Sequence, residues 1–162
     1  MGNHIQYSAD EELAQIIAET APCSILALGP QAAQVFTNYI AGHSTACLTH
    51  IAAGDWLAPV ANRRFDFVFL SQVLEQLRKP QACHLLARLR ESSQCLYAKV
   101  PMGKAWLNHA SFWEQNDLRG LGLDLVNLTA ASGRPVGLFC YDVRTRKPET
   151  EWLNSKYWAQ PD

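Results

Sequence analysis

The stretch GDWLAPVANRRFDFVFLSQVLEQLRKP, residues 54–80, carries the clearest pattern in the chain. Its centre, FDFVFL (65–70), is an apolar run of strand length broken only by Asp66. The run predicts a strand, the clearest in the chain. SQVLEQL (71–77) follows as a short helical turn, with Glu75 expected on its surface. Pro80 then opens a longer helix carrying Leu85, Leu86 and Leu89. Proline suits the first turn, where its missing N–H would have had no partner.

The same alternation extends in both directions. Upstream, Ser8-x-x-Glu11 reads as a capping box for a helix with Leu13, Ile16 and Ile17 on one face, ending before Pro22. SILALG (24–29) is a buried strand that breaks at Gly29-Pro30, and residues 31–42 predict a helix closed by Gly42. ACLTHI (46–51) is the next strand. Downstream, CLYAKV (95–100) is a strand ended by Pro101, and Ser111-x-x-Glu114 predicts a helix running to about Gly120. LDLVNL (123–128) and VGLFCYDV (136–143) form a hairpin across TAASGRP. Residues 1–143 thus predict one α/β, Rossmann-like domain: a mostly parallel sheet of about six strands, a terminal antiparallel hairpin, and helices on both faces. The aromatic-rich tail, 144–162, is expected to pack on the same domain. Ligands of such sheets lie beyond the carboxyl ends of the strands, which directs attention to Gly29-Pro30-Gln31, Thr49-His50, Ser71-Gln72 and Val100-Pro101-Met102.

Composition narrows the function classes. The 162 residues carry 14 basic and 15 acidic side chains, a net charge of -1. That balance offers no footprint for a nucleic-acid backbone and no polybasic arm for a membrane surface. No apolar run reaches the roughly 18 residues of a membrane span. The opening, MGNHIQYSADEE, is too polar and acidic for a signal peptide, so a cytoplasmic protein is expected. Cys23, Cys47, Cys83, Cys95 and Cys140 are widely spaced among apolar neighbours without a C-x-x-C. They are expected to be buried and structural, with no metal site. A serine-hydrolase elbow, a phosphate loop and a nicotinamide fingerprint are all missing from the sequence.

The order of these pieces resembles a class I S-adenosylmethionine-dependent methyltransferase. Residues 54–80 resemble that family's GD-x-x-x-LP segment followed by FD-x-V-x-x-x-x-VLEHL, and ILALGPQAA (25–33) stands where its glycine-rich loop belongs. LYAKVP (96–101) is similar to its fifth strand and the final hairpin to its inverted last pair. A bacterial branch of the family is expected. The resemblance implies a site for S-adenosylmethionine around Gly29, Thr49, Asp55, Trp56 and Ser71, with Asp55 reaching an adenine amine and Trp56 covering the ring. The residues themselves leave an alternative open, in which Asp55 caps the next turn and Trp56 packs on its edge. Ser71 and Gln72 either face a substrate or cap the turn that follows them.

The departures fall at the cofactor. Gly29 keeps the first glycine of the loop, while Gln31 and Ala33 replace the next two and Ala27 replaces an acidic residue. Thr49 and His50 stand where a carboxylate would accept two ribose hydroxyls. Residues 52–64 leave room for one crossover and not for a helix, a strand and a second helix, so the family's third, edge strand is expected to be missing. A truncated fold with a degenerate cofactor motif predicts a non-catalytic scaffold or interaction protein, with a protein partner or a second copy. The alternative is a small methyltransferase acting on an unidentified substrate. His50, at the end of a buried strand, is the histidine nearest the crevice. Trp106, Phe112, Trp113, Trp152, Tyr157 and Trp158 offer either a partner surface or aromatic packing onto the domain.

Overall fold

The structure, a computed structural model, describes residues 8–104, 108–131 and 133–143. The expected tail, 144–162, and Trp106 lie outside the described residues. Helix α1 (Ala9–Thr20) leads into β1 (Ser24–Leu28). Then come α2 (Thr37–Gly42), β2 (Cys47–Ile51) and β3 (Phe65–Ser71). The chain continues through α3 (Lys79–Glu91), β4 (Ser93–Pro101) and α4 (Gln115–Gly120) to β5 (Asp124–Ala131) and β6 (Arg134–Asp142). The six strands form one sheet in the order β2-β1-β3-β4-β6-β5. The first four are parallel, and β6 turns back antiparallel to both β4 and β5. This is the expected α/β, Rossmann-like sheet with its terminal hairpin.

Alternation along the strands builds two cores. Ile25, Ala27, Phe67, Phe69 and Tyr97 face α1 and the segment around Phe36, while Leu26, Leu28, Val68, Leu70, Leu96 and Ala98 face α3 and α4. Phe36 meets Phe67 and Phe69 edge to face, with centroids 5.8 and 6.1 Å away. Each such pair contributes about 0.5–1.5 kcal/mol beyond its buried area. Asp66, the one polar residue of FDFVFL, closes the amino ends of two strands: its carboxylate accepts from the amides of Cys23 (2.9 Å) and Ser24 (3.2 Å). In return the Ser24 hydroxyl accepts from the Asp66 amide at 2.9 Å.

Three local expectations are corrected. Residues 31–42 are not one helix. Bonds from Ala32 to Gly29 (3.3 Å), Gln34 to Gln31 (3.2 Å) and Phe36 to Ala33 (3.1 Å) span three residues, a tighter winding that precedes the short α2. Ser111 does not cap α4; the cap is Glu114, whose amide donates to Asp117 Oδ2 at 2.9 Å. The Ser111 hydroxyl instead donates to Leu74 O (3.0 Å) and accepts from Trp113 Nε1 (2.8 Å), so Trp113 belongs to the core and not to a partner surface. Cys83 and Cys95 are buried as expected and Cys140 is half-buried, but Cys23 and Cys47 are exposed at the start of the two strands nearest one edge.

Residues 52–64 carry one short turn, Ala58–Val60, and no strand, so β2 is the edge of the sheet. Among the described residues no helix is long and apolar enough to cross a membrane. Among the same residues no three His, Cys, Asp or Glu side chains gather in a metal-holding group.

Candidate functional site

The parallel strands end level with one another, since Leu28 pairs with both Ile51 and Leu70, and Ser71 pairs with Lys99. Beyond those ends the chain turns sharply at two places. After β1, Gly29 adopts φ 120°, and a Cβ built there would lie 1.7 Å from the Ser71 carbonyl oxygen. Only glycine lets β1 turn so close to the end of β3. After β3, Gln72 holds φ 62°, a left-handed conformation without glycine's freedom.

Consecutive residues of these two turns line different cavities. Gln31 and Ser71 line a cleft of about 350 Å³ on the α1 side, with Asp10, Gln34, Asn38 and Lys99 among its walls. Lys99 Nζ bridges to Asp10 Oδ1 at 3.1 Å across that cleft, joining β4 to α1. Pro30 and Gln72 line a second cavity of about 330 Å³, completed by Glu75, Gln76, Pro101 and His109. The paired turns therefore stand between the two cavities.

The polar groups of Gly29 are all engaged inside the protein. Its amide donates to Ile51 O at 2.9 Å, and its carbonyl accepts from the Ala32 amide at 3.3 Å. His50 Nε2 lies 2.7 Å from the same carbonyl. A carbonyl only accepts, so Nε2 carries the proton and both lone pairs are used.

Of the five residues expected around a cofactor, the structure brings together Gly29 and Ser71. Thr49 lies half-buried on edge strand β2, on the same face as Ile51. Asp55 is exposed and its Oδ1 accepts from the Leu57 amide at 3.0 Å. Trp56 packs against the core on the α3 side. Thr49, Asp55 and Trp56 line neither cavity. For Asp55 and Trp56 this is the turn-capping, edge-packing arrangement that the sequence left open.

Glu75 overturns its expected place on the surface: it is 2% exposed. It sits in the single turn Leu74–Gln76 directly after β3, and its Oε1 has no hydrogen-bond partner among the described residues. Burial raises its carboxyl from the ordinary 4.5 to about 7, opposed only by its own backbone amide. The Glu75 carbonyl accepts from Ala110 (2.8 Å) and Ser111 (3.3 Å), which clamps the segment carrying His109 against the turn. Lys99, Asp10 and Glu75 were all missed by sequence reasoning. For Glu75 the available signal was position alone, a carboxylate four residues past the end of a doubly buried strand.

A family model described as "Family of unknown function (DUF6231)" matches residues 7–162. No curated protein matches in sequence. Among solved structures, the N-terminal domain of EvdMO1 with SAH bound is 12% identical, with a TM-score of 0.57 over 86% of this chain and 84% of that one. Magnesium protoporphyrin IX methyltransferase (ChlM) from Synechocystis PCC 6803 with bound SAM is 11% identical, with a TM-score of 0.55 over 81% and 77%. TehB from Haemophilus influenzae is 12% identical, with a TM-score of 0.56 over 85% and 62%. At these identities the likeness is one of fold.

Proposed function

The chain belongs to DUF6231, a family of unknown function, and from its strand-end geometry we propose a methyltransferase-like protein that transfers no methyl group and serves as a scaffold or interaction protein. The observation that carries this reading is the closed Gly29 turn. A backbone that cradles a ligand presents free N–H and C=O groups to it. Here the Gly29 amide goes to Ile51 and its carbonyl to Ala32 and His50. Asp55 Oδ1 accepts from the Leu57 amide. The sheet ends at β2, so among the described residues no further strand supports a nucleoside beside it. The partner in this reading is another protein or a second copy.

A small S-adenosylmethionine-dependent methyltransferase is the competing reading, and the cleft of about 350 Å³ favours it, because Gln31 lines that space beside Ser71. Thermal unfolding with millimolar S-adenosylmethionine, and separately with its demethylated product, separates the two. A ligand at about 100 times its dissociation constant adds roughly 2.7 kcal/mol. For a domain of this size that raises the midpoint on the order of 5–10 °C. The scaffold reading expects no shift with either compound. A shift of that size overturns it.

A further inference from the structure

The second cavity calls for a ligand of its own. It is walled by Pro30 and Pro101, which have no backbone N–H, by the side chains of Gln72 and Gln76, by His109 and by Glu75. Its volume of about 330 Å³ is roughly ten times the share of one water, enough for a molecule the size of an amino acid. The walls are built, not incidental. Gly29 at φ 120°, Gln72 at 62° and Asn108 at 64° place three left-handed residues beside or on it. The clamp from Ala110 and Ser111 to the Glu75 carbonyl, backed by Ser111 Oγ on Leu74 O, fixes the far wall.

Glu75 is one of the residues lining the cavity, and one oxygen of its carboxylate is buried without a partner among the described residues. A buried ionised carboxylate is costly unless a donor or an opposite charge meets it. We propose that this cavity is a binding site for a small cation bearing N–H donors, a primary ammonium or a guanidinium, held by the Glu75 carboxylate. Proline walls supply no competing backbone donors, and the side-chain oxygens of Gln72 and Gln76 add acceptors for the remaining hydrogens. An anion would meet the carboxylate's repulsion, and a neutral amide would leave its charge unbalanced.

The carboxyl, raised by burial to about 7, gives this site a pH signature. A cation binds the ionised form, whose fraction rises about tenfold between pH 6 and pH 8 for such a group. Among the described residues, His109 is the other titratable side chain lining the cavity, and no charged side chain enters the causes of the Glu75 shift.

The test is an NMR titration with ethylammonium and with methylguanidinium, with N-methylurea as the neutral control and potassium chloride as the salt control. The reporters are the Ala110 and Ser111 amides, which hydrogen-bond to the Glu75 carbonyl. Saturable shifts with a cation at pH 8, about tenfold weaker binding at pH 6, and loss of saturation in Glu75→Gln are expected. The clamp uses the Glu75 backbone, so the variant keeps its reporters; its remaining spectrum shows that it is folded. The wild-type pH series stands without any variant. His109→Asn is expected to retain the pH dependence. No saturable shift with either cation, equal binding of N-methylurea, equal binding by Glu75→Gln, or a pH dependence that disappears with His109 overturns the assignment. The thermal test reads S-adenosylmethionine and its product, whereas this titration reads small cations at the Glu75 clamp, so the two experiments fail independently.

Discussion

Replacing Glu75 by Gln removes a proton-binding group from the core while keeping its shape. In the folded protein the carboxyl titrates at about 7, against an ordinary value of 4.5, because it is buried. At 1.36 kcal/mol per unit, that difference comes to about 3 kcal/mol. Between pH 4.5 and 7 the unfolded chain has lost this proton and the native state still holds it. The native state therefore binds more protons, and its stability falls as pH rises through that window. The contribution is complete below about pH 4.5, where both states are protonated, and gone above about pH 7. Glu75 is 2% exposed, so solvent screening does not reduce the effect. The amide of the variant does not titrate, so urea unfolding of both proteins from pH 4.5 to 8 isolates the group in the difference between the two curves. The variant is expected to gain about 3 kcal/mol relative to wild type across the window, on the order of 10 °C in midpoint. Parallel curves refute the argument. A difference of opposite sign means that the carboxylate is stabilised in the folded protein and the burial reasoning fails.

Two further outcomes follow from named contacts. Gly29→Ala would place a Cβ 1.7 Å from a backbone oxygen, and Gly54→Ala meets nothing within 4 Å although its φ is 111°. The first is expected to cost more than about 4–5 kcal/mol, or to prevent folding; the second is expected to cost only the torsional strain of about 1–3 kcal/mol. Urea midpoints of the two variants check the contrast, and similar losses would mean that torsion, not the Ser71 contact, sets the requirement for glycine. In thiol labelling of the native protein, exposed Cys23 and Cys47 are expected to react first, and buried Cys83 and Cys95 only on unfolding. Burial pushes the Cys83 thiol up to about 12, so rapid native labelling there would contradict its placement.

The centre of the sheet was legible because β1 and β3 are doubly buried. FDFVFL and SILALG are apolar at both alternating positions, which leaves a parallel, helix-covered strand as their simplest reading. Counting residues 52–64 sufficed to place β2 at an edge, since chain length limits what a crossover can contain. The local windings were less legible. Residues 31–42 have a helical face, but periodicity does not distinguish bonds spanning three residues from bonds spanning four over so short a stretch. Ser111 and Glu114 have capping-box spacing, yet Trp113 between them needs a partner for its buried Nε1, and the Ser111 hydroxyl supplies it. A tertiary requirement displaced a local one.

The candidate site shows the same division. Gly29 and Ser71 lie together because they end adjacent strands, a position fixed by topology. The resemblance implies a cofactor contact for Asp55 and Trp56, and short-range chemistry sets their local arrangement: an aspartate accepting from the amide two residues on, and an indole packed on the core. Glu75 was assigned to the surface because a carboxylate in a polar-looking turn is exposed by default. The 108–111 segment, more than thirty residues later, docks on the Glu75 carbonyl, a contact between distant parts of the chain that the turn itself does not announce. A charge so placed raises a question that its own turn does not answer. If the cavity beside it takes a cation, the buried carboxylate is compensated when the ligand is bound; if it takes none, the group remains protonated near neutral pH and the strained Gln72 turn serves packing alone. The titration at Ala110 and Ser111 separates these two accounts, because only the first ties affinity to the ionisation of Glu75.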